Sequence, residues 1–289
     1  MKMNPGWIDA SLFRDFQAEG TDAHRLCTME DGWVERFGRD VLISFTRVLV
    51  RERLIQELKE WASDALFNVG RVFARFVPRK SEQREPPRLM CGDPAENLQT
   101  IATERRLKFG IDFGAGFSVG LFPDQRENRS YVRQIAPKRL LNCFAYTCSF
   151  SVSAACVGAT TLNVDLSKKS LARGRENFAL NNLPTIDHRF IADDVMTVLP
   201  RLARKGEKFD VIILDPPTFR VRPEERRFTL KTILRNCSSM PSNWQSETAM
   251  SSLSTNCSTL REHALEVMAR YGLKASAPRR HVSSIASAA

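Results

Sequence analysis

The chain has 289 residues, enough to bury a full core and to form two domains, one near 170 residues and one smaller. With 43% apolar and 26% charged residues and only 14 Gly and 14 Pro, the composition is that of a globular protein and excludes a collagen-like or disordered chain. The 43 Lys plus Arg exceed the 33 Asp plus Glu by ten, a balance that suits a polyanionic partner and equally a merely basic surface, so charge alone decides nothing.

Residues 33–48 read as two short strands around Gly38-Arg39-Asp40, because Val41, Ile43 and Phe45 alternate with Leu42 and Ser44. From Arg51 the period becomes helical, with Leu54, Ile55, Leu58, Trp61, Ala62 and Ala65 on one face, up to Asn68. A third strand is expected over Arg71–Val77. Pro78, Pro86, Pro87 and Pro94 then mark residues 78–99 as loop. Phe109, Ile111 and Phe113 alternate before Gly114-Ala115-Gly116, and Phe117, Val119 and Leu121 alternate after it, which predicts a hairpin on a glycine turn. No helix opens after those glycines, so a phosphate loop is rejected there. Residues 1–100 are thus expected to form a small α+β module with its linker, and residues 101–289 the larger domain.

From Lys138 the pattern repeats strand, turn, helix. Strands are expected at Arg139–Phe144, Thr160–Asp165, His188–Ile191 and Phe209–Leu214. Helices are expected from Phe150 to Val157, from the N-cap Ser167 to Leu180, and from Val195 to Arg204 despite Pro200. Four strands with intervening helices make a doubly wound, mostly parallel α/β sheet. Residues 236–258 hold eight serines and no apolar run longer than two residues, where a closing strand should stand. A helix returns over Ser258–Arg270.

The chemistry gathers where these strands end, since open α/β sheets bind ligands at their carboxyl edge. Asn142-Cys143-Phe144-Ala145-Tyr146-Thr147-Cys148 follows the first strand, and small residues in such a turn let a ligand approach backbone N–H groups. Asp165 ends the second strand 23 residues after Asn142, close to the spacing at which a carboxylate reaches ribose hydroxyls, and it also suits a helix cap. Asp193 and Asp194 end the third. Leu214-Asp215-Pro216-Pro217-Thr218-Phe219 puts a carboxylate on a turn stiffened by two prolines, with an aromatic that could stack on a flipped base. Arg220, Arg222, Arg226, Arg227, Lys231 and Arg235 follow, interrupted by Glu224 and Glu225.

Together these segments resemble the class I S-adenosylmethionine-dependent methyltransferases of large-subunit (23S) ribosomal RNA that make 5-methylcytosine or 7-methylguanine. The resemblance is specific over residues 109–219 and returns over residues 253–276. It implies a Rossmann-like sheet, S-adenosyl-L-methionine as cofactor and ribosomal RNA as partner. It also implies that Phe144, Ala145, Tyr146 and Thr147 line the cofactor, that Asp165 holds its ribose, and that Asp194 contacts the adenine, with Asp193 the nearby alternative. Gly120-Leu121-Phe122-Pro123-Asp124-Gln125-Arg126 is similar to the family segment in which Gln125 and Arg126 face the methionine carboxylate or order the first turn. By the same resemblance Asp215 bonds the polar edge of the target base, with Pro216, Pro217 and Phe219 beside it. In the cytosine-5 branch a Cys at the place of Cys257 attacks C6 of the base; the guanine-N7 branch lacks it, and Cys257 can equally be an idle thiol.

The chain departs from the family in two places. Cys148 stands where the family usually has Gly, a strained choice if the position needs φ > 0, with a side chain placed to crowd the methionine end. Residues 220–252 lack the family's apolar helix and strand, which reads as a local change of reading frame, or decay of the gene, that altered the domain from about residue 228 and cut the last strands. A non-catalytic RNA-binding remnant is therefore the alternative from another class. A nicotinamide-dependent oxidoreductase is a further one, disfavoured by the missing Gly-x-Gly-x-x-Gly turn. Cys27, Cys91, Cys143, Cys148, Cys156, Cys237 and Cys257 form no Cys-x-x-Cys pair, and with no leader at Met1–Phe13 and no apolar run of membrane length, reduced thiols in a soluble cytoplasmic protein are expected. His24, His188, His263 and His281 are scattered without ligand spacing, so no metal is expected.

Overall fold

The computed structural model describes residues 6–78, 84–94, 97–215 and, as backbone, 245–253. The chain forms two compact units, of residues 1–126, 146–152 and 169–185, and of residues 127–145, 153–168 and 186–289.

The first unit begins with helix α1 (Ala10–Ala18), whose N-cap Asp9 accepts a hydrogen bond from the Leu12 amide at 2.7 Å. Strands β1 (Ala23–Met29), β2 (Gly32–Phe37), β3 (Asp40–Phe45), β4 (Val72–Phe76) and β5 (Arg88–Cys91) form one sheet in that order. All its neighbours are antiparallel except β3 and β4, which run parallel because helix α2 (Val48–Asp64) carries the chain back between them. Alternation decides the faces. Leu26, Val34, Ile43 and Ala74 meet Leu54, Leu58 and Trp61 of α2 in one core, while Phe73 turns to the other face and stacks on Phe113 with ring centroids 3.9 Å apart. The two strands expected around Gly38 and the following helix stand as read. Strand β5, inside the segment expected to be loop, does not: its pairing with β4 is made by Arg88 to Cys91, beyond the paired prolines.

The expected hairpin is also misplaced. Strand β6 (Gln99–Glu104) pairs with β7 (Leu107–Asp112), and the turn is Arg105-Arg106, both with left-handed backbone at φ 46° and 66°. A type I′ two-residue hairpin needs φ > 0 at both centres, which normally signals Asn-Gly, so an Arg-Arg turn is silent in the sequence. After β7 the chain loops through Gly114 to Gly116 and touches the hairpin through the Asp112 amide, which donates to the Val119 carbonyl at 2.8 Å.

The second unit holds the parallel sheet. In chain order helix α3 (Arg126–Ile135) leads to β8 (Arg139–Cys143), and then follow α4 (Ser149–Ala155), β9 (Thr160–Asp165), α5 (Lys168–Leu180), β10 (Arg189–Ala192), α6 (Val195–Arg204) and β11 (Phe209–Leu214), of which the first half of α4 and nearly all of α5 count with the first unit. The sheet order is β10, β9, β8, β11, β12, parallel throughout, where β12 is Gln245–Leu253. Strand β12 overturns the expectation of a missing strand next to β11. A ladder is made by main-chain groups, so a serine-rich segment without apolar alternation can still complete one. Leu141, Val164, Val198, Leu199, Leu202, Phe209, Ile212 and Leu214 form the core between the sheet and α6. At the amino ends of the strands, the Asp210 carboxylate accepts from the Lys138 and Arg139 amides at 2.9 and 2.8 Å, and Glu207 pairs with Arg139 and Arg189.

Candidate cofactor site

In the second unit the chain runs outward from β8 through β9 to β10, then returns to the far side of β8 as β11. The strand order reverses between β8 and β11, which is where a sheet of this kind opens a crevice at its carboxyl edge. Register fixes what stands there. Cys143 pairs with both Val164 and Leu214, so Phe144, Asp165 and Asp215 each stand one residue past those partners, and Ala192 pairs with Asp165. The Ala145 amide donates to the Val164 carbonyl at 3.0 Å, which holds the first turn against the second strand.

The carboxylates at this edge are not equivalent. Asp165 accepts from the Ser167 amide at 2.8 Å through one oxygen, so the turn before α5 positions it. Asp194 is the N-cap of α6 and accepts from the Met196 amide at 2.8 Å, with Val195 buried behind it. Asp193 accepts from the Asp194 amide and pairs with Arg201 at 2.8 Å. Asp215 follows directly on β11. Pro216, Pro217, Phe219 and Cys257 lie outside the described residues.

The rest of the first turn belongs to the first unit. Phe144, Tyr146 and Cys148 all have left-handed backbone, at φ 58°, 48° and 60°, and none is Gly, a local cost of about 1–2 kcal/mol each. Surrounding bonds hold the turn in that state. The Tyr146 hydroxyl donates to the Ser118 carbonyl at 2.8 Å, and burial pushes its pKa up. The Thr147 hydroxyl donates to the Gly120 carbonyl at 2.5 Å. Gly120 itself must be glycine, since a Cβ there would lie 2.5 Å from the Gly110 carbonyl oxygen. Gln125, on a 3-10 turn over Pro123–Gln125, and Arg126 are both buried, and the Arg126 guanidinium lies over the Phe16 ring at 4.4 Å.

Helix α5 supplies the residues that sequence reading missed. Asn177 accepts from the Gly110 amide at 2.8 Å and donates to the Thr147 carbonyl at 2.9 Å. One turn on, Asn181 accepts from the Lys108 amide at 2.8 Å and donates to the Lys108 carbonyl at 2.7 Å. Four residues of helix rise about 6 Å and two residues of strand about 6.8 Å, so asparagines at i and i+4 match alternate residues along β7. In the sequence Asn181 reads only as the end of a helix. The pair's i, i+4 spacing was the available signal.

Gly174 explains how the chain tolerates Cys148. The thiol is fully buried, and a Cβ on Gly174 would lie 2.6 Å from its sulfur. Gly174→Ala should therefore destabilise the fold by about 1–2 kcal/mol even though Ala is worth about 1 kcal/mol more than Gly in a helix. Combined with Cys148→Gly, which clears the space and the strain, the same substitution should become neutral or stabilising. A double-mutant cycle by urea denaturation checks this, and additive effects would show that the two sites do not share one space.

Among the described residues, no group of three or more His, Cys, Asp and Glu could hold a metal ion, and no helix is long and apolar enough to cross a membrane.

A family model of S-adenosylmethionine-dependent methyltransferases matches residues 74–241. The ribosomal RNA large subunit methyltransferase I of Aeromonas salmonicida is 34% identical over 210 residues, which are 70% of this chain and 52% of that protein. That of Klebsiella pneumoniae is 34% identical over 223 residues, 73% of this chain and 55% of that protein. The chain thus spans about half the length of the curated relatives it matches. A crystal structure of a protein assigned as a methyltransferase and complexed with SAH matches 89% of this chain and 69% of its own, with a TM-score of 0.74 and 25% identity.

Proposed function

This chain belongs to the S-adenosylmethionine-dependent methyltransferase family, and from that premise we propose that it transfers a methyl group to a base of large-subunit ribosomal RNA. The observation that carries the reading is the row of Phe144, Asp165 and Asp215 at the carboxyl edge where the strand order reverses. The donor set suits the cofactor: a carboxylate at the end of the second strand for two ribose hydroxyls, and a small Ala145 beside it. S-adenosyl-L-methionine supplies an electrophilic methyl group when bound. Phe144, Ala145, Tyr146, Thr147, Asp165 and Asp194 are the residues proposed to hold it, with Gln125 and Arg126 facing the methionine carboxylate or ordering the first turn. Asp215 would accept from the polar edge of the target base, with Pro216, Pro217 and Phe219 shaping its place. Cys257 would add to C6 of a cytosine and so raise electron density at C5.

Domain limits of 1–100 and 101–289, action in the cytoplasm, and a changed reading frame behind residues 220–252 belong to the same reading. Nucleotide sequencing tests the last point: the idea fails if no alternative frame restores an apolar strand.

The activity is tested by calorimetric titration with S-adenosylmethionine. Asp165→Ala should weaken binding at least about tenfold, roughly the 1.4 kcal/mol of one charge-assisted hydrogen bond. Equal affinity in the variant would remove Asp165 from the site. Digestion of methylated RNA then distinguishes the branches, since 5-methylcytosine implicates Cys257 and 7-methylguanine excludes it. A folded protein with salt-dependent RNA affinity but no cofactor affinity would be the non-catalytic remnant.

A further inference from the structure

Strand alternation gives the first sheet two unlike faces. One packs on α2; on the other, Phe37 and Phe73 are buried against Phe113. Two residues along each strand from that apolar end, the same face turns polar, with Glu35 on β2, Ser44 on β3 and Arg75 on β4. Trp33, a further two residues back along β2, pairs across the ladder with Ser44, and Ser44 pairs with Arg75.

Glu35 organises this end of the face. It is 4% exposed, and its carboxylate accepts from Arg25 Nη2 at 3.1 Å and from Trp33 Nε1 at 3.2 Å, with Arg75 Nη2 3.6 Å away. Arg75 Nε donates to the Ser44 hydroxyl at 2.9 Å and its Nη1 to the Phe117 carbonyl, which tethers the loop after β7. Each aromatic ring therefore carries guanidinium groups: Arg25 lies 5.5 Å from the Trp33 ring centre, and Arg75 and Arg84 lie 4.5 and 4.8 Å from that of Phe117. A buried carboxylate is costly unless paired, and here the pairing fills no apolar core but fixes two half-buried rings at the surface. Three guanidinium groups against one carboxylate leave the end positively charged.

Rings interleaved with arginine suit a flexible polyanion that carries planar groups of its own, because bases stack on the rings while phosphates meet the guanidinium groups. We infer that this end of the first sheet is a docking ledge for single-stranded RNA, with one base stacked on Trp33, another taking the place of Arg84 on Phe117, and Arg25 and the displaced Arg84 on the phosphates. The ledge deepens the methyltransferase reading above and rests on it for its partner.

A short labelled single-stranded RNA, and the same RNA annealed to its complement, are titrated into the full chain. Trp33→Leu and Phe117→Leu should each weaken the single strand about five- to a hundredfold, the usual worth of one base–aromatic stack, and leave the duplex, whose base faces are covered, little changed. Trp33→Phe keeps a ring and should restore most of the loss. Arg84→Gln should instead lower the slope of log affinity against log salt by about 0.7, the worth of one phosphate contact on a single strand. A base stacked on Trp33 also quenches its indole, so RNA should dim the parent protein more than Trp33→Phe, a readout that holds even if a leucine variant proves unfolded in urea denaturation. Unchanged single-strand affinity in both leucine variants overturns the ledge, as do equal losses on single strand and duplex, equal quenching in the parent and Trp33→Phe, or a parent that binds no RNA. A parent that binds RNA through these rings but no S-adenosylmethionine keeps the ledge and loses the methyltransferase reading; cofactor binding with RNA affinity indifferent to the rings does the reverse.

Discussion

Asp40→Ala should cost about 3–5 kcal/mol of folding stability, the largest effect expected of any single substitution considered for this protein. Asp40 and Arg71 are 5% and 7% exposed, and the carboxylate accepts from Arg71 Nη2 at 2.6 Å, Nε at 3.1 Å and the Arg71 amide at 3.0 Å. Removing the acid leaves a buried guanidinium and a buried amide without their acceptor. Replacing both partners by apolar residues of similar size, as in Asp40→Leu with Arg71→Met, should cost much less, because no uncompensated charge remains. Urea denaturation with an unchanged m-value is the measurement. A loss below about 1 kcal/mol in Asp40→Ala would mean that water already shares the pair, as it does for exposed ion pairs.

Asn177→Ala is expected to cost about 2–5 kcal/mol, for a different reason. The side chain is 1% exposed and is the partner of two main-chain groups, the Gly110 amide and the Thr147 carbonyl, each left unmet at about 1–3 kcal/mol. Because Thr147 stands in the first turn of the proposed cofactor site, S-adenosylmethionine affinity should fall as well, while a merely local loss would leave it unchanged. Asn181→Ala is the comparison: that residue is only half-buried, water can replace its bonds, and a loss under about 1 kcal/mol is expected. Similar costs at the two positions would show that burial does not set the difference.

The parallel sheet was legible because each of its first four strands is a short, largely apolar run, and the first three are followed by a turn and a helical period. Asp165, Asp194 and Asp215 were legible for the same reason, each ending such a run. What the sequence hid was backbone geometry without its usual marker. Arg105-Arg106 turns a hairpin with no glycine, while Gly114 and Gly116, the obvious turn, serve a loop. Phe144, Tyr146 and Cys148 hold left-handed backbone on tertiary support alone. Cys148 looked like a defect taken singly. Its sense comes from Gly174, a residue 26 positions away in a helix where glycine otherwise only weakens the chain. Strand β12 was invisible because ladder bonds do not depend on side chains that alternate.

Strand β7 pairs with β6 on one side only, so its other rim would be a row of open donors and acceptors. Asn177 of α5 and Asn181 just past its end occupy that rim, with Arg173 Nη2 also donating to the Gly110 carbonyl at 3.3 Å. An uncovered strand rim is a template on which another chain can pair, and proteins generally blunt it with charge, proline or a bulge. Here a helix does so with amide groups that copy the spacing of a strand. The side chain that steadies the first turn, Asn177, thus also covers a rim on which a second copy could pair, so a change there should show both as lost cofactor affinity and as a gain in self-association.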